Sequence, residues 1–129
     1  MARPVLTMCV LPGRFAICRL DPAGSVPAWA TAQPFCAVAR TDRELSVVCP
    51  QEQVPADVRH EAGWRVLELQ GPFPLEVVGV LAAVAGPLAA AGISLFVVST
   101  FDTDYVLVKE AHLDRAVSAL GEDGHRVRF

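Results

Sequence analysis

An uncharged run of 22 residues, from Val77 to Val98, constrains the fold of this chain more than any other feature. The run is long enough to be considered as a membrane-spanning helix. However, Gly86 and Pro87 interrupt its middle, and after Gly92 the Ala-rich sequence gives way to β-branched and aromatic residues typical of a strand. The run therefore predicts a buried helix followed by a buried strand, and no membrane partner.

The second half of the chain has the spacing of a split βαβ unit. From Val77, apolar residues recur every three or four positions, which predicts a helix with one buried face. We expect strands at 64–70, 93–99, 105–109 and 125–129 and a second helix at 113–120. The order strand, helix, strand, strand, helix, strand is that of ferredoxin-like domains.

The first half resembles the second in outline. Short apolar runs predict strands at 6–11, 15–20, 35–40 and 45–49, with one helical turn at 28–30 and a short helix at 54–58. A shift of 60 positions aligns the two polar turns and pairs Asp42 with Asp102 and Glu44 with Asp104. We therefore predict an α+β fold of two ferredoxin-like βαββαβ units, residues 1–62 with a reduced first helix and residues 63–129. The sheets would be antiparallel, with helices on one face.

Composition excludes several classes of partner and site. The net charge of −3, from 11 basic and 14 acidic residues without runs, leaves no basic face for nucleic acid. The N-terminus, Met1 to Leu6, lacks the apolar core of a secretory signal, so we expect a cytoplasmic protein. The four cysteines lie in apolar runs without Cys-x-x-Cys spacing, which predicts buried thiols and no metal site.

The residues that could support catalysis do not form a recognisable constellation. His60, His112 and His125 lack partners at ligand spacing, and we expect all three to be exposed. Cys36 and Cys49 lie in apolar runs, which would raise their thiol pKa values and make them unreactive. No Gly-rich phosphate loop is present either. We predict no enzyme activity, no catalytic residue and no cofactor.

One stretch carries a family resemblance, the Ser-Thr-Phe-Asp-Thr-Asp-Tyr string within Gly92 to Lys109. This stretch resembles the hairpin of small tandem ACT-domain proteins, bacterial relatives of the cytosolic arginine sensors of the CASTOR type. Residues 11–16, 27–30, 41–49 and 63–65 are similar to that family too. The resemblance implies two ACT-like units per chain, which often form a homodimer, and an amino-acid ligand bound at an interface between units or protomers.

The resemblance also implies which residues bind the ligand. Asp104 is the first candidate, because the matching acid contacts the ligand in the arginine sensors. The other candidates lie in the hairpin and in the loop before the first helix: Ser99, Thr100, Phe101, Gly71, Pro72, Val78 and Gly79. Two departures matter, because this chain has two units where the sensors have four, and Glu76 lies in a differently built loop. Arginine specificity therefore does not transfer.

The chemistry of a zwitterion fits these positions, but a simpler interpretation also does. Free N–H groups at the helix start, near 77–79, would bind a carboxylate, and Asp104 would bind an ammonium group. Alternatively, Asp102 and Asp104 only cap a turn and Gly71-Pro72 only ends a strand. Function has the same two alternatives. The chain is either an amino-acid sensor that acts on a separate protein, or a structural dimerisation module that binds no ligand and pairs through an edge strand.

Overall fold

The computed structural model describes residues 4–129, and Met1 to Arg3, which contribute to the prediction about a secretory signal, lie outside the described residues. The chain divides into two compact units. We call Pro12–Trp64 the β unit, and we call Arg65–Phe129 together with the described residues up to Leu11 the α/β unit. The predicted boundaries, 1–62 and 63–129, differ from these units, because the first strand pairs within the α/β unit. No helix in residues 4–129 is long and apolar enough to span a bilayer.

The fold is a mixed α+β fold dominated by sheet, with two α-helices in the described residues. The elements in chain order are β1 (Thr7–Val10), β2 (Phe15–Leu20), β3 (Ala37–Arg40), β4 (Leu45–Pro50), β5 (Arg59–Leu69), α1 (Val80–Ala90), β6 (Phe96–Ser99), β7 (Asp104–Lys109), α2 (Leu113–Glu122) and β8 (Arg126–Arg128). Short 3-10 helices occupy Ala28–Thr31, Gln51–Gln53 and Glu110–His112. From β5 onward, the predicted order of strands and helices is confirmed.

The sheet of the α/β unit has the strand order β8-β1-β5-β7-β6. β1 runs antiparallel to β5, with Met8 opposite Leu69, and parallel to β8, with Met8 opposite Val127. Both helices pack against the same alternating sheet positions, which gives one continuous apolar core. Its largest fully buried members are Met8, Leu67, Leu69, Val84, Leu88, Val106 and Leu120. Without β1, the lateral order β8-β5-β7-β6 is the ferredoxin-like order.

The β unit has the strand order β3-β4-β2-β5, and no α-helix forms between Pro12 and Trp64. Its small core contains Cys18, Leu45, Val47 and Cys49. Trp29 packs against this core from the 3-10 helix at Ala28–Thr31, where a helical turn is predicted at 28–30. No helix forms at 54–58, so that prediction is wrong. A 3-10 helix occupies Gln51–Gln53 instead. The cysteine prediction is partly confirmed: Cys18 and Cys49 are buried, whereas Cys9 and Cys36 are only half-buried.

Helix α1 begins at Val80, three residues later than the sequence pattern predicts. Gly79, the residue before it, has a φ of 88°, in the left-handed region, which interrupts a right-handed helix and favours glycine. Val77 therefore lies outside the helix, and it is 44% exposed. Within α1, Val80, Val84 and Leu88 repeat every four residues and are buried.

Pro87 lies inside α1 without ending it, because His125 compensates for the missing backbone donor. A proline has no N–H group to donate to the carbonyl four residues earlier, which here belongs to Ala83. His125 Nε2 lies 2.9 Å from the Ala83 carbonyl oxygen, and its Nδ1 accepts the Leu6 N–H at 3.0 Å. The prediction of an exposed His125 is therefore wrong: the imidazole is 5% exposed and joins α1 to the segment before β1. Of the other two histidines, His60 is exposed and His112 is half-buried, so the prediction is confirmed for His60 alone.

The two polar hairpins align with a shift of 59 positions rather than the predicted 60. Thr41 opens the β3–β4 turn by donating its N–H to the carbonyl three residues ahead, and Thr100 does the same in the β6–β7 turn. Asp104 thus corresponds to Leu45, the first residue of the returning strand, and not to Glu44. The correction matters because a slip of one residue moves every side chain to the opposite face of a strand.

Candidate functional site

The β6–β7 hairpin is closed by Thr100. The Thr100 N–H donates to the carbonyl oxygen of Thr103 at 2.8 Å, and the Thr100 hydroxyl donates to the same oxygen at 3.0 Å. The Thr103 N–H in turn donates to Thr100 Oγ1 at 3.3 Å. The capping role considered for Asp102 and Asp104 is therefore wrong, because neither carboxylate hydrogen-bonds to any described residue. Both carboxylates remain able to accept hydrogen bonds from a ligand or from water.

Two hydrogen bonds attach the end of β5 and the loop that follows it to this hairpin. The Phe73 N–H donates to the Asp102 carbonyl at 2.8 Å, and the Thr103 hydroxyl donates to the Leu69 carbonyl at 2.8 Å. A Cβ atom added to Gly71 would lie 3.0 Å from the Asp102 carbonyl oxygen, which is closer than side chains normally approach. Glycine at position 71 therefore lets the loop come close to the turn, and the turn fixes the position of the loop.

A cavity of about 220 Å³ lies between this loop, the hairpin and the first residue of α1. Four of the predicted ligand-binding residues line it: Ser99, Thr100, Phe101 and Asp104. The remaining lining residues are mostly apolar and come from the loop and the helix start: Phe73, Pro74, Leu75, Val77, Val80, Asp102 and Thr103. We call this space the hairpin cavity.

Two neighbouring cavities lie along the same loop. One, of about 400 Å³, is lined by residues 72–76 with Phe101 and Asp102. The other, of about 310 Å³, is lined by residues 68–72 with Asp102, Thr103 and Tyr105. The predicted residues Gly71 and Pro72 line these spaces and not the hairpin cavity.

The last two predicted residues, Val78 and Gly79, line none of these three cavities. Val78 is 87% exposed, and Gly79 provides the backbone turn that begins α1. Sequence reasoning missed Phe73, Leu75 and Val77, which follow Gly71-Pro72 in a segment interpreted only as a strand terminator and helix start. The available signal was that Phe73 and Leu75 alternate with Pro72 and Pro74 in a segment too short to form a core of its own.

The electrostatics of the hairpin cavity are acidic on one side and neutral elsewhere. Asp104 is half-buried and Asp102 is exposed, and no Lys, Arg or His is among the lining residues. At the helix start, the first intrahelical bond runs from the Ala83 N–H to the Gly79 carbonyl at 3.0 Å. The N–H groups of residues 80–82 therefore have no acceptor within the helix, and Val80, the first of them, lines the cavity.

The neighbouring cavity of about 310 Å³ contains a half-buried hydrogen bond between a phenol and a carboxylate. The Tyr105 hydroxyl donates to Glu68 Oε2 at 2.9 Å. Burial raises the pKa of Tyr105 most, and the hydrogen bond to Glu68 and the charges of Glu68 and Asp102 raise it further. The pair therefore fixes the side chain that follows Asp104 on β7.

Metal binding and thiol chemistry find little support in the described residues. Residues 4–129 contain no group of three or more His, Cys, Asp or Glu side chains placed to hold a metal ion. Burial, with smaller contributions from Cys18, Cys36 and Glu52, raises the pKa of Cys49 to about 12, so this thiol is protonated at neutral pH. The predicted rise in the pKa of Cys49 is thereby confirmed.

Comparison with known protein families adds to this geometry. The family model of the ACT domain matches residues 59–122, and a second model, described as an N-terminal domain, matches residues 13–57. The human cytosolic arginine sensor for mTORC1 subunit 1 is 35% identical over 94 residues, which cover 67% of this chain and 29% of the sensor. The chain thus spans less than a third of the length of that relative.

Solved structures extend the comparison to the whole chain. Protein Atu0741 from Agrobacterium tumefaciens is 40% identical, with a TM-score of 0.91 over 96% of this chain and 92% of that protein. The regulatory subunit of aspartate kinase from Thermus thermophilus has a TM-score of 0.57 at 11% identity, over 86% of this chain and 91% of that subunit, which shows a similar fold. The chain therefore belongs to the same protein family as Atu0741, and its residues 59–122 carry an ACT domain.

Proposed function

We propose that the chain is a non-catalytic regulatory protein that binds an amino acid, or a closely related small metabolite, in the hairpin cavity. Asp104 supports this proposal most directly. Asp104 is half-buried and lines the cavity, and its carboxylate hydrogen-bonds to none of the described residues. A ligand ammonium group would satisfy it with a charge-assisted hydrogen bond, which is stronger than a bond between neutral groups.

The start of α1 is suited to the other end of a zwitterion. The N–H groups of residues 80–82 have no intrahelical acceptor, and the helix dipole places partial positive charge at this end. A ligand carboxylate bound near Val80 would satisfy one of these groups. The two ends of an amino acid would thus bind to two different elements, β7 and α1.

The relatives support a regulatory role. A similar protein is a cytosolic arginine sensor, and a protein of similar fold is the regulatory subunit of aspartate kinase. On this basis we propose that the chain acts in the cytoplasm, by changing its contacts with a separate effector protein when the ligand binds. The same relatives support the absence of enzyme activity.

We further propose that the β unit is a reduced second ACT-like unit. Its order is strand, 3-10 helix, strand, strand, 3-10 helix, strand, and its sheet order is β3-β4-β2-β5. Numbered within the unit, this is 2-3-1-4, the lateral order of a ferredoxin-like sheet. The chain would then be a small tandem ACT protein, and we expect it to form a homodimer.

A thermal-shift screen of the twenty amino acids tests the proposal. A ligand that binds only the folded state stabilises it by RT ln(1 + [L]/Kd), about 2.7 kcal/mol at a hundredfold excess over Kd. We expect at least one amino acid to raise the melting temperature in a concentration-dependent manner. Asp104→Asn, which removes the charge but keeps the shape, should abolish the rise, whereas Asp114→Asn, at an exposed position of α2, should leave it intact.

Two results would contradict the proposal. If no amino acid shifts the melting temperature at millimolar concentration, the chain is not an amino-acid sensor, and the alternative of a ligand-free dimerisation module is favoured. If a shift occurs but survives in Asp104→Asn, the protein binds an amino acid at another site.

A further inference from the structure

The walls of the hairpin cavity carry more exposed apolar surface than a short polar hairpin and its neighbouring loop require. Phe101 is 78% exposed, Leu75 is 68% exposed and Val77 is 44% exposed. All three line the cavity, and Phe73 and the buried Val80 form the surface between them. Apolar surface concentrated in this way usually marks a binding site.

Two of the polar side chains of the cavity already use their hydroxyl donors within the fold. Thr100 donates its hydroxyl to the Thr103 carbonyl, and Thr103 donates its own to the Leu69 carbonyl, so both donors are used within the fold. A ligand with an acidic side chain would meet no Lys, Arg or His among the lining residues. Its second carboxylate would lose water without gaining a partner of opposite charge, which is costly.

A basic side chain is disfavoured for a different reason. Once Asp104 binds the α-ammonium group, the remaining carboxylate is Asp102, which is exposed. An ion pair with an exposed carboxylate contributes little, while the cationic group would lose water against Phe73 and Val80.

Given the proposed function, on which this inference rests, we infer that the ligand is a neutral amino acid with a branched aliphatic side chain. The side chain would contact Leu75, Val77 and Phe101, which are thus the residues that determine specificity. Covering these side chains removes apolar surface from water, which is favourable. The ligand would complete an apolar cluster that the chain alone leaves open.

Isothermal titration calorimetry of the intact chain with leucine, isoleucine, valine, arginine and glutamate tests this inference. We expect at least one of the three branched aliphatic amino acids to bind at least tenfold more tightly than arginine or glutamate. Phe101→Ala should weaken its binding about tenfold, which corresponds to about 1.4 kcal/mol. Phe129→Ala is the matched control, because Phe129 is also 78% exposed but does not line the cavity, and it should leave affinity unchanged.

A charge placed on the apolar wall should change the specificity. Val77→Asp adds a carboxylate inside the cavity and should reverse the preference, so that arginine binds more tightly than the aliphatic ligand. Val78→Asp adds the same charge one residue away, at a position that is 87% exposed and outside the cavity lining, and should leave the preference as it was.

The outcomes separate this inference from the proposed function. Arginine binding as tightly as leucine, isoleucine and valine, and lost in Asp104→Asn, would overturn the aliphatic specificity while supporting the amino-acid site. Unchanged affinity in Phe101→Ala together with unchanged preference in Val77→Asp would also overturn the specificity. Absence of binding by any amino acid would overturn both.

Discussion

The buried imidazole of His125 should be one of the most sensitive single positions in the α/β unit. It satisfies the Leu6 N–H at 3.0 Å and the Ala83 carbonyl at 2.9 Å, and Leu6 and Ala83 are only 5% and 2% exposed. His125→Leu fills the site with an apolar side chain but leaves both backbone groups without a partner. Each buried unsatisfied group costs about 1–3 kcal/mol, so the expected loss is about 2–6 kcal/mol. Small domains have about 5–15 kcal/mol of stability in total.

A double-mutant cycle with Pro87 tests the reasoning behind that magnitude. Pro87→Ala restores an N–H group that can donate to the Ala83 carbonyl, which removes one of the two defects left by His125→Leu. The substitution should therefore stabilise the His125→Leu variant by about 1–3 kcal/mol more than it stabilises the unmodified chain. Urea unfolding followed by circular dichroism measures the free energy of unfolding of the unmodified chain, the two single variants and the double variant. His60→Leu, at an exposed histidine, is the control and should change stability by less than about 0.5 kcal/mol. Additive effects of the two substitutions would refute the proposed replacement of the helix hydrogen bond by His125.

Three further predictions follow from single contacts. Gly71→Ala places a Cβ atom 3.0 Å from the Asp102 carbonyl oxygen, so the substitution should displace the loop. Increased hydrogen exchange at the Phe73 amide would show the displacement, and unchanged exchange would contradict it. The pKa of Cys49 is raised to about 12, above the unfolded value of about 8.5. The contribution of Cys49 to stability should therefore be complete below a pH of about 8.5 and should fall as the pH rises toward 12. Native Cys49 should also resist alkylation at pH 8, and rapid alkylation of the folded protein would contradict its burial. Tyr105→Phe removes the 2.9 Å hydrogen bond to Glu68 and should cost about 0.5–1.5 kcal/mol in urea unfolding, whereas no loss would show that water replaces the phenol at no cost.

The order of elements in the α/β unit could be predicted because each element carries its own local signal. The repeat of Val80, Val84 and Leu88 indicates a helix, and the β-branched residues after Gly92 indicate a strand. The pairing of β1 within the α/β unit could not be predicted, because β1 is four residues long and no local pattern states which strand it joins. Long-range pairing depends on the whole fold.

The candidate site was predictable in its hairpin and not in its loop. The string around Asp104 is specific, and four of its predicted residues line one cavity. The contribution of Phe73 and Leu75 depends on hydrogen bonds between the loop and the hairpin, which join residues about 30 positions apart in the chain. The role of His125 could not be predicted for the same reason, because its partners Leu6 and Ala83 lie 119 and 42 positions away in the chain.

An NMR titration of the ¹⁵N-labelled chain with leucine, isoleucine and valine, each in turn, tests the central claim most directly. The account predicts saturable shifts with at least one of them at the amides of the cavity wall, Phe73 to Val80 and Ser99 to Asp104, and the loss of these shifts in Asp104→Asn. The amides of the β-unit core, such as Val47, should not move. Absence of saturable shifts with all three amino acids, or shifts confined to residues outside the hairpin cavity, would contradict it.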